Sequence, residues 1–165
     1  MMLDQSSKIE GAGAFWKAIG CRTVGAAVVT CPSPEGTVGF LALSATHLCA
    51  DPPTMMVSLD AGTSAGEHLR AHGVFCINYL AKDQKFLVDR FFDRNGPKGA
   101  ERFADVPTTT LSTGAPAIVG AVGNLDCAVD EIITRHGTQI VLGRLIDAAQ
   151  DQSLAPLVSF GGKIA

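Results

Sequence analysis

GFLALSATHLCADPPTMMVSLD, residues 39–60, opens as a run of small and apolar residues that ends on Ser44-Ala45-Thr46. It then crosses Pro52-Pro53 and resumes as Met55-Met56-Val57-Ser58-Leu59. The pattern predicts two β-strands joined by a turn, because a double proline interrupts a ladder. The first strand carries few bulky polar side chains. Such a strand offers mainly its backbone N–H and C=O groups to whatever rests on it.

Upstream, Thr23–Cys31 (TVGAAVVTC) is small and β-branched and reads as a buried strand. Pro32-Ser33-Pro34-Glu35-Gly36 is a turn, so Thr37–Ala45 forms a hairpin with it. Ile9–Ile19 spaces Phe15, Trp16 and Ile19 as an amphipathic helix does. Downstream, Thr54–Leu59 is a third strand and Ala65–Ala71 a short helix. Gly73–Leu80 is a fourth strand. Lys82–Phe92 is a helix, stopped by Asn95-Gly96-Pro97. Glu101–Pro116 reads as a loop with a short strand near Thr108. Asn124–Ile133, Gln139–Ala149 and Pro156–Phe160 complete the strands. Successive strands without helices of βαβ spacing predict an antiparallel barrel of six or seven strands, mainly β with two or three short helices.

The 165 residues suit one domain, 1–165, with residues 1–8 as a loose tail. Apolar residues make up 47% and charged residues 18%, the balance of a folded chain. A net charge of −3 argues against a nucleic-acid binder, which needs a basic stripe. No apolar run is long enough to span a bilayer, and the N-terminus lacks the pattern of a signal peptide, so a cytoplasmic location is expected. The five cysteines are scattered without zinc spacing, and buried free thiols are expected.

No phosphate loop, dinucleotide fingerprint, nucleophile elbow or metalloprotease motif occurs. His68 and His72 have the spacing of metal ligands on a helix, but a solvated helix face explains them as well, and no metal is expected. Gly62-Thr63-Ser64 precedes a helical segment. Free N–H groups with two hydroxyls make an anion site there, and simple capping is the other reading. Arg102 stands in a polar loop, free to form a bidentate bond with a phosphate or to lie on an ordinary surface. His136 sits in a turn, as a ligand contact or merely exposed.

Taken in order, these stretches resemble one family, the short-chain flavin reductases on the FMN-binding split β-barrel. The matching segments are Phe15–Thr30, Gly39–Thr46, Asp51-Pro52-Pro53 with Met56–Leu59, Phe75–Gln84, Arg90-Phe91-Phe92 and Glu101-Arg102-Phe103. Gly114-Ala115-Pro116, Leu125-Asp126-Cys127, Gly143-Arg144-Leu145 and Pro156–Phe160 continue the match.

The resemblance implies an NAD(P)H-dependent reductase of FMN or FAD, using NADH or NADPH as co-substrate. It implies a homodimer that passes diffusible reduced flavin to a monooxygenase partner. A non-catalytic FMN-binding protein or electron carrier on the same barrel is the alternative. By the same resemblance, the backbone of Leu41, Ala42, Leu43, Ser44, Ala45 and Thr46 faces the flavin ring, and Ser44 adds a hydroxyl. Cys49, Ser58 and Leu59 lie beside the flavin, and Gly62, Thr63 and Ser64 hold its phosphate. Asn78, Arg102 and Phe103 match further cofactor positions. Where the family often has a histidine before the late strand, this chain has Gln139. His136 then stands as the candidate catalytic contact to nicotinamide, with Gln139 as its rival.

Overall fold

The computed structural model describes residues 8–165. The expected tail therefore lies outside the described residues, apart from Lys8. The first elements are helix α1 (Gly11–Ile19) and strands β1 (Val24–Gly25), β2 (Ala27–Ser33) and β3 (Gly36–Ala42). Strands β4 (Thr46–Ala50) and β5 (Pro53–Asp60) follow, then α2 (Ser64–His72), β6 (Val74–Tyr79) and α3 (Lys85–Phe92). A 3₁₀ turn at Gly99–Phe103 leads into β7 (Thr108–Thr110) and β8 (Pro116–Ile118). The long strands β9 (Gly123–Arg135) and β10 (Thr138–Gln150) come next, before the short β11 (Val158–Phe160) and β12 (Lys163–Ile164).

Seven strands form one antiparallel sheet in the order β3-β2-β6-β9-β10-β5-β4. The expected split-barrel class, mainly β with short helices, is what the chain adopts. Among the described residues, no helix is long and apolar enough to cross a membrane.

The sheet curls around one core and carries a second on its outside. Neighbouring residues of a strand point to opposite faces. Val29 of β2 accordingly enters an inner cluster with Phe40, Val57, Phe75, Ile77 and Val141. Val28 enters an outer cluster with Leu87 and Val88 of α3, Phe103 and Ile118. Both valines are fully buried. Covering both faces explains why TVGAAVVTC shows no apolar–polar alternation. Each fully buried side chain of this size contributes about 1.5–3 kcal/mol. Burial also pushes the thiol pKa of Cys31 and of Cys127 up to about 12, which keeps both protonated and inert.

The structure divides the opening stretch differently from its sequence pattern. Residues 39–60 contain parts of three strands instead of two. The expected strand Thr37–Ala45 stops at Ala42, and Thr46–Ala50 forms a separate edge strand. Every residue of β4 is exposed, so it lacks the buried face from which a strand is normally recognised. Likewise Thr23–Cys31 splits into β1 and β2 at Ala26, whose N–H donates to Leu157 O instead of joining a ladder (2.9 Å). The expected 101–116 loop carries the small β7–β8 pair.

Gly39 permits the curl. A Cβ there would lie 2.3 Å from Val29 O and 3.1 Å from the Phe103 ring. The outer face is closed by Arg90, whose Nη1 donates to Asp105 Oδ1 and to Arg102 O (2.6 Å each). Its Nη2 donates to Asp105 Oδ2 (3.1 Å). This fork ties α3 to the 3₁₀ turn. The same hydrogen bonds hold the Asp105 carboxyl below the ordinary aspartate range.

Two outcomes follow from this packing. Gly39→Ala should destabilise the fold by about 2 kcal/mol or more, since strand backbone must move to admit one methyl group. A urea midpoint equal to that of the parent chain would show that β3 is not held against β2 at this point. Asp105 has a depressed pKa in the folded state, so its contribution is present above the unfolded aspartate pKa. It is lost as pH falls through the folded value. Asp105→Asn should therefore lower the urea midpoint at pH 7 and narrow its gap to the parent at pH 2–3. A gap that is constant with pH would exclude the ion pair as its source.

Candidate functional site

The connection Leu43-Ser44-Ala45 between β3 and β4 belongs to no strand. Among the described residues its backbone makes no hydrogen bond to other backbone outside the ladders. Two side-chain hydroxyls hold it. Ser44 Oγ accepts from Ser58 N (3.1 Å) and donates to Ser58 O (3.2 Å). Tyr79 Oη donates to Ala45 O (3.3 Å). The three residues are half-buried. The Tyr79 ring also lines an open, mainly apolar cavity of about 420 Å³, with Gly25, Leu125 and Ala149 on its walls. Burial raises the Tyr79 pKa, so its hydroxyl stays protonated and available as a donor.

The loop Ala61–Thr63 and the first turn of α2 lie beyond the other end of β5. Thr63 Oγ1 donates to Asp60 O (3.0 Å), and α2 has no side-chain cap. Simple capping is thereby corrected: the Thr63 hydroxyl serves the preceding turn, and the first N–H groups of α2 are not satisfied by it. Ser64 is exposed at the start of the helix.

The β9–β10 hairpin touches this loop, because Ala61 N–H donates to Gly137 O (2.9 Å). Arg135 pairs with Thr138, so His136 and Gly137 form a two-residue turn. Both have positive φ, 50° and 77°. That is the twist-matched hairpin turn, for which Asn-Gly is the usual sequence. His136 is exposed at its tip. Gln139 faces inward. It is 3% exposed, and its Oε1 lies 3.0 Å from where a Gly66 Cβ would stand, without a hydrogen-bond partner.

Several candidate side chains are turned into the protein interior. Asn78 is fully buried. Its Nδ2 donates to Val28 O and Thr30 Oγ1 (2.9 Å each), and its Oδ1 accepts from Ile118 N and Asn124 Nδ2 (2.8 Å each). Its polar atoms are spent on the protein, so the cofactor role is corrected to a structural one. Phe103, at 6% exposure, fills the outer core instead of a flavin edge. Leu59 and Ala42 face the inner core, so only their backbone is open to a ligand. Leu41 packs against the outer cluster.

Arg102 lays its guanidinium over the Phe91 ring, 4.8 Å from the centroid, with a buried Nε lacking a partner. Cys49 is exposed on β4, its thiol directed at Pro52 O (3.1 Å). Thr46 begins the same edge strand, opposite Met56. His68 and His72 stack on α2 with centroids 6.4 Å apart, and no third metal ligand joins them among the described residues.

Tyr79 was not among the sequence candidates. It is the only tyrosine in the chain, and it follows Asn78 in a strand that buries Phe75 to Asn78. That much was visible, but its partner lies 34 residues upstream.

Comparison with known proteins decides the family. The flavin reductase like domain matches residues 19–165. The chain belongs to that family. It is 34% identical over 139 residues to the FMN reductase (NADH) RutF of Ancylobacter novellus, covering 83% of this chain and 76% of that one. It is 32% identical over 164 residues to FMN reductase (NADH) RutF 2 of Methylorubrum extorquens, covering 98% and 92%. Among solved structures, the flavin reductase of styrene monooxygenase from Pseudomonas putida superposes with a TM-score of 0.78. It is 26% identical and covers 90% of this chain and 94% of that one. This flavin reductase-like chain is likewise similar to an NADH:FAD oxidoreductase of Streptomyces globisporus solved with NAD and FAD fragments. That match has a TM-score of 0.82 and 25% identity, with coverage of 93% and 90%.

Asn78→Ala separates a structural role from a ligand contact. It should cost about 3 kcal/mol, because it leaves the buried Ile118 N–H without an acceptor and takes a donor from Val28 O and Thr30 Oγ1. The flavin dissociation constant of the folded fraction should not change. Weakened flavin binding with an unchanged urea midpoint would return Asn78 to the binding site.

Proposed function

We propose that this chain is an NADH-dependent flavin reductase that reduces FMN, or FAD in its place, and releases it to a separate flavin-dependent monooxygenase. One observation carries the reading. A half-buried span, Leu43–Ala45, has backbone groups without backbone partners among the described residues, in a chain of the flavin reductase-like family. The side chains of Ala42 and Ala45 turn into the inner core, which leaves the main chain as the surface a planar ring would meet. The loop Gly62-Thr63-Ser64 supplies the exposed Ser64 hydroxyl and the N–H groups of a helix start, which suit the flavin phosphate, while Thr63 Oγ1 holds the turn.

Bound flavin would supply the redox chemistry as the hydride acceptor opposite a nicotinamide. The chain's own part is to hold the ring by its edge, anchor the phosphate and leave one face open for the nicotinamide. His136, exposed on the hairpin pinned to the phosphate loop, is the side chain we assign to the nicotinamide side. The buried Gln139 is the less suited of the two. Arg102, packed over Phe91, serves the flavin site indirectly by holding the 3₁₀ turn to α3.

Release of the reduced product asks for modest affinity. A micromolar constant corresponds to only about −8 kcal/mol. The names of the relatives support FMN and NADH as the first pair to test. NADPH and FAD are the comparison pair. A homodimer is part of the proposal. Helix α1 has no buried residue, and its Trp16 and Phe15 are 65% and 45% exposed, an apolar face that a second subunit would cover. A cytoplasmic location fits an enzyme that consumes NADH.

The purified protein should oxidise NADH, followed at 340 nm, only when FMN is also present, and should elute from a sizing column as a dimer. Stable yellow protein without NADH oxidation would identify a flavin carrier instead. A colourless protein that takes up no flavin would remove both readings.

A further inference from the structure

We infer that Ser44 and Tyr79 are positioning residues of the flavin site, which shape the Leu43–Ala45 backbone without touching the flavin. This rests on the reading of that span as the surface that receives the flavin ring.

The register makes the case. Thr46 pairs with Met56 in the antiparallel β4–β5 ladder, so residue 44 stands opposite Ser58. An antiparallel hydrogen-bonded pair exchanges both N–H···O=C bonds between the two main chains. Here the Ser44 hydroxyl makes both bonds to Ser58. The side chain stands where the main chain of residue 44 would otherwise stand. The ladder is thus continued by one hydroxyl, and the main chain is displaced outward from β5 with its own N–H and C=O left over. An alanine at residue 44 would orphan both Ser58 groups or draw the main chain back into the ladder. Either outcome alters the surface offered to a ring.

Tyr79 sets the second coordinate. Its hydroxyl occupies Ala45 O, so that carbonyl is withdrawn from the presented set. The remaining set is richer in N–H donors, and the N1, O2, O4 and N5 acceptors of an isoalloxazine ring outnumber its single N3–H donor. A carbonyl released by loss of the Tyr79 hydroxyl has only N3–H to pair with and is repelled by the acceptors beside it. Position 79 is fixed independently of the site. Its aromatic ring packs on Gly25, where a Cβ would lie 3.0 Å from Tyr79 Cδ1, and its strand neighbour is the buried Asn78. The hydroxyl is therefore delivered to Ala45 by a rigid part of the sheet.

The roles are read from four variants of the full chain, using flavin fluorescence quenching for affinity and NADH oxidation for rate. Ser44→Ala and Tyr79→Phe should each weaken FMN binding about tenfold, as the shifted span loses one backbone hydrogen bond of ordinary strength to the flavin. The FMN KM should rise in step while kcat at saturating FMN stays within about twofold, the pattern of lost uniform binding. The KM for NADH should not move. Ser44→Thr keeps the hydroxyl and should restore the parent affinity. The double variant should lose less than the product of the two single losses, because both act on one span.

FMN affinity at the parent value in both Ser44→Ala and Tyr79→Phe overturns the inference. So does a double variant that shows the full product, which would make each residue an independent contact. If Ser44→Ala does not fold, as read by its urea midpoint, Tyr79→Phe alone decides, since it removes one oxygen from a packed ring. A parent protein that binds no flavin at all is a different result, and it defeats the functional reading rather than this assignment.

Discussion

The buried carboxamide of Asn78 is the interaction on which the sheet depends. It lies on β6, between β2 and β9 in the order of strands. Its donors go to Val28 O and Thr30 Oγ1 of β2, and its acceptor takes Ile118 N of β8 and Asn124 Nδ2 of β9. One side chain thereby joins the sheet to the small β7–β8 pair that covers its outer face. Thr30 extends the network by donating to Pro116 O and, at 3.3 Å, to Cys76 O. Asp126 closes it at the far side, accepting from Thr113 N (2.7 Å) and Thr113 Oγ1 (2.5 Å). A polar network of this kind is favourable inside a protein only when its members are satisfied. It fixes where the outer layer sits, and so it fixes which face of β3 remains open.

Two cores follow from that arrangement. The inner one fills the curl of the sheet, and the outer one is sealed by α3, the 3₁₀ turn and β8. Close approaches are possible because glycine stands where side chains would collide. At Gly143 a Cβ would lie 2.4 Å from the Phe75 ring, as at Gly39 it would meet Val29 O. The long β9–β10 ribbon takes up the remaining strain through register shifts between Leu142 and Gly143 and between Leu145 and Asp147. Bulges of this sort bend a strand and increase its twist. The ribbon then delivers the His136-Gly137 turn to the loop before α2.

Much of this was legible in the sequence. Strands with a buried face or two buried faces, such as β2, β5 and β6, announce themselves through β-branched and apolar runs. The antiparallel class followed from their succession. The edge strand β4 did not, because Thr46–Ala50 buries nothing and its pairing with β5 is a backbone property. The site was legible in its location but less so in its roles. Ser44 carries a hydroxyl that looks free for a ligand, yet the structure spends it on Ser58. Asn78 looks like a polar site residue because polar groups are rare in strands, but sequence alone cannot show four partners gathered from three other strands around it. Tyr79 acts across 34 residues, a separation to which periodicity is blind.

A main chain cannot at once complete a ladder and offer the same groups to a ligand, since each residue has a single N–H and a single C=O. Between β3 and β4 the conflict is resolved by substitution. The Ser44 hydroxyl is both donor and acceptor, so it alone can answer both groups of Ser58 and keep the edge of β5 paired. A carboxamide would also provide both functions but would need more room. An aliphatic side chain would provide neither. The serine in an otherwise apolar run therefore has a geometric reason that does not require contact with the ligand. The backbone it releases is held within one peptide of rigid strand on either side. That placement gives a surface with little side-chain chemistry and little freedom to move, which is what recognition of a flat ring through its edge atoms requires.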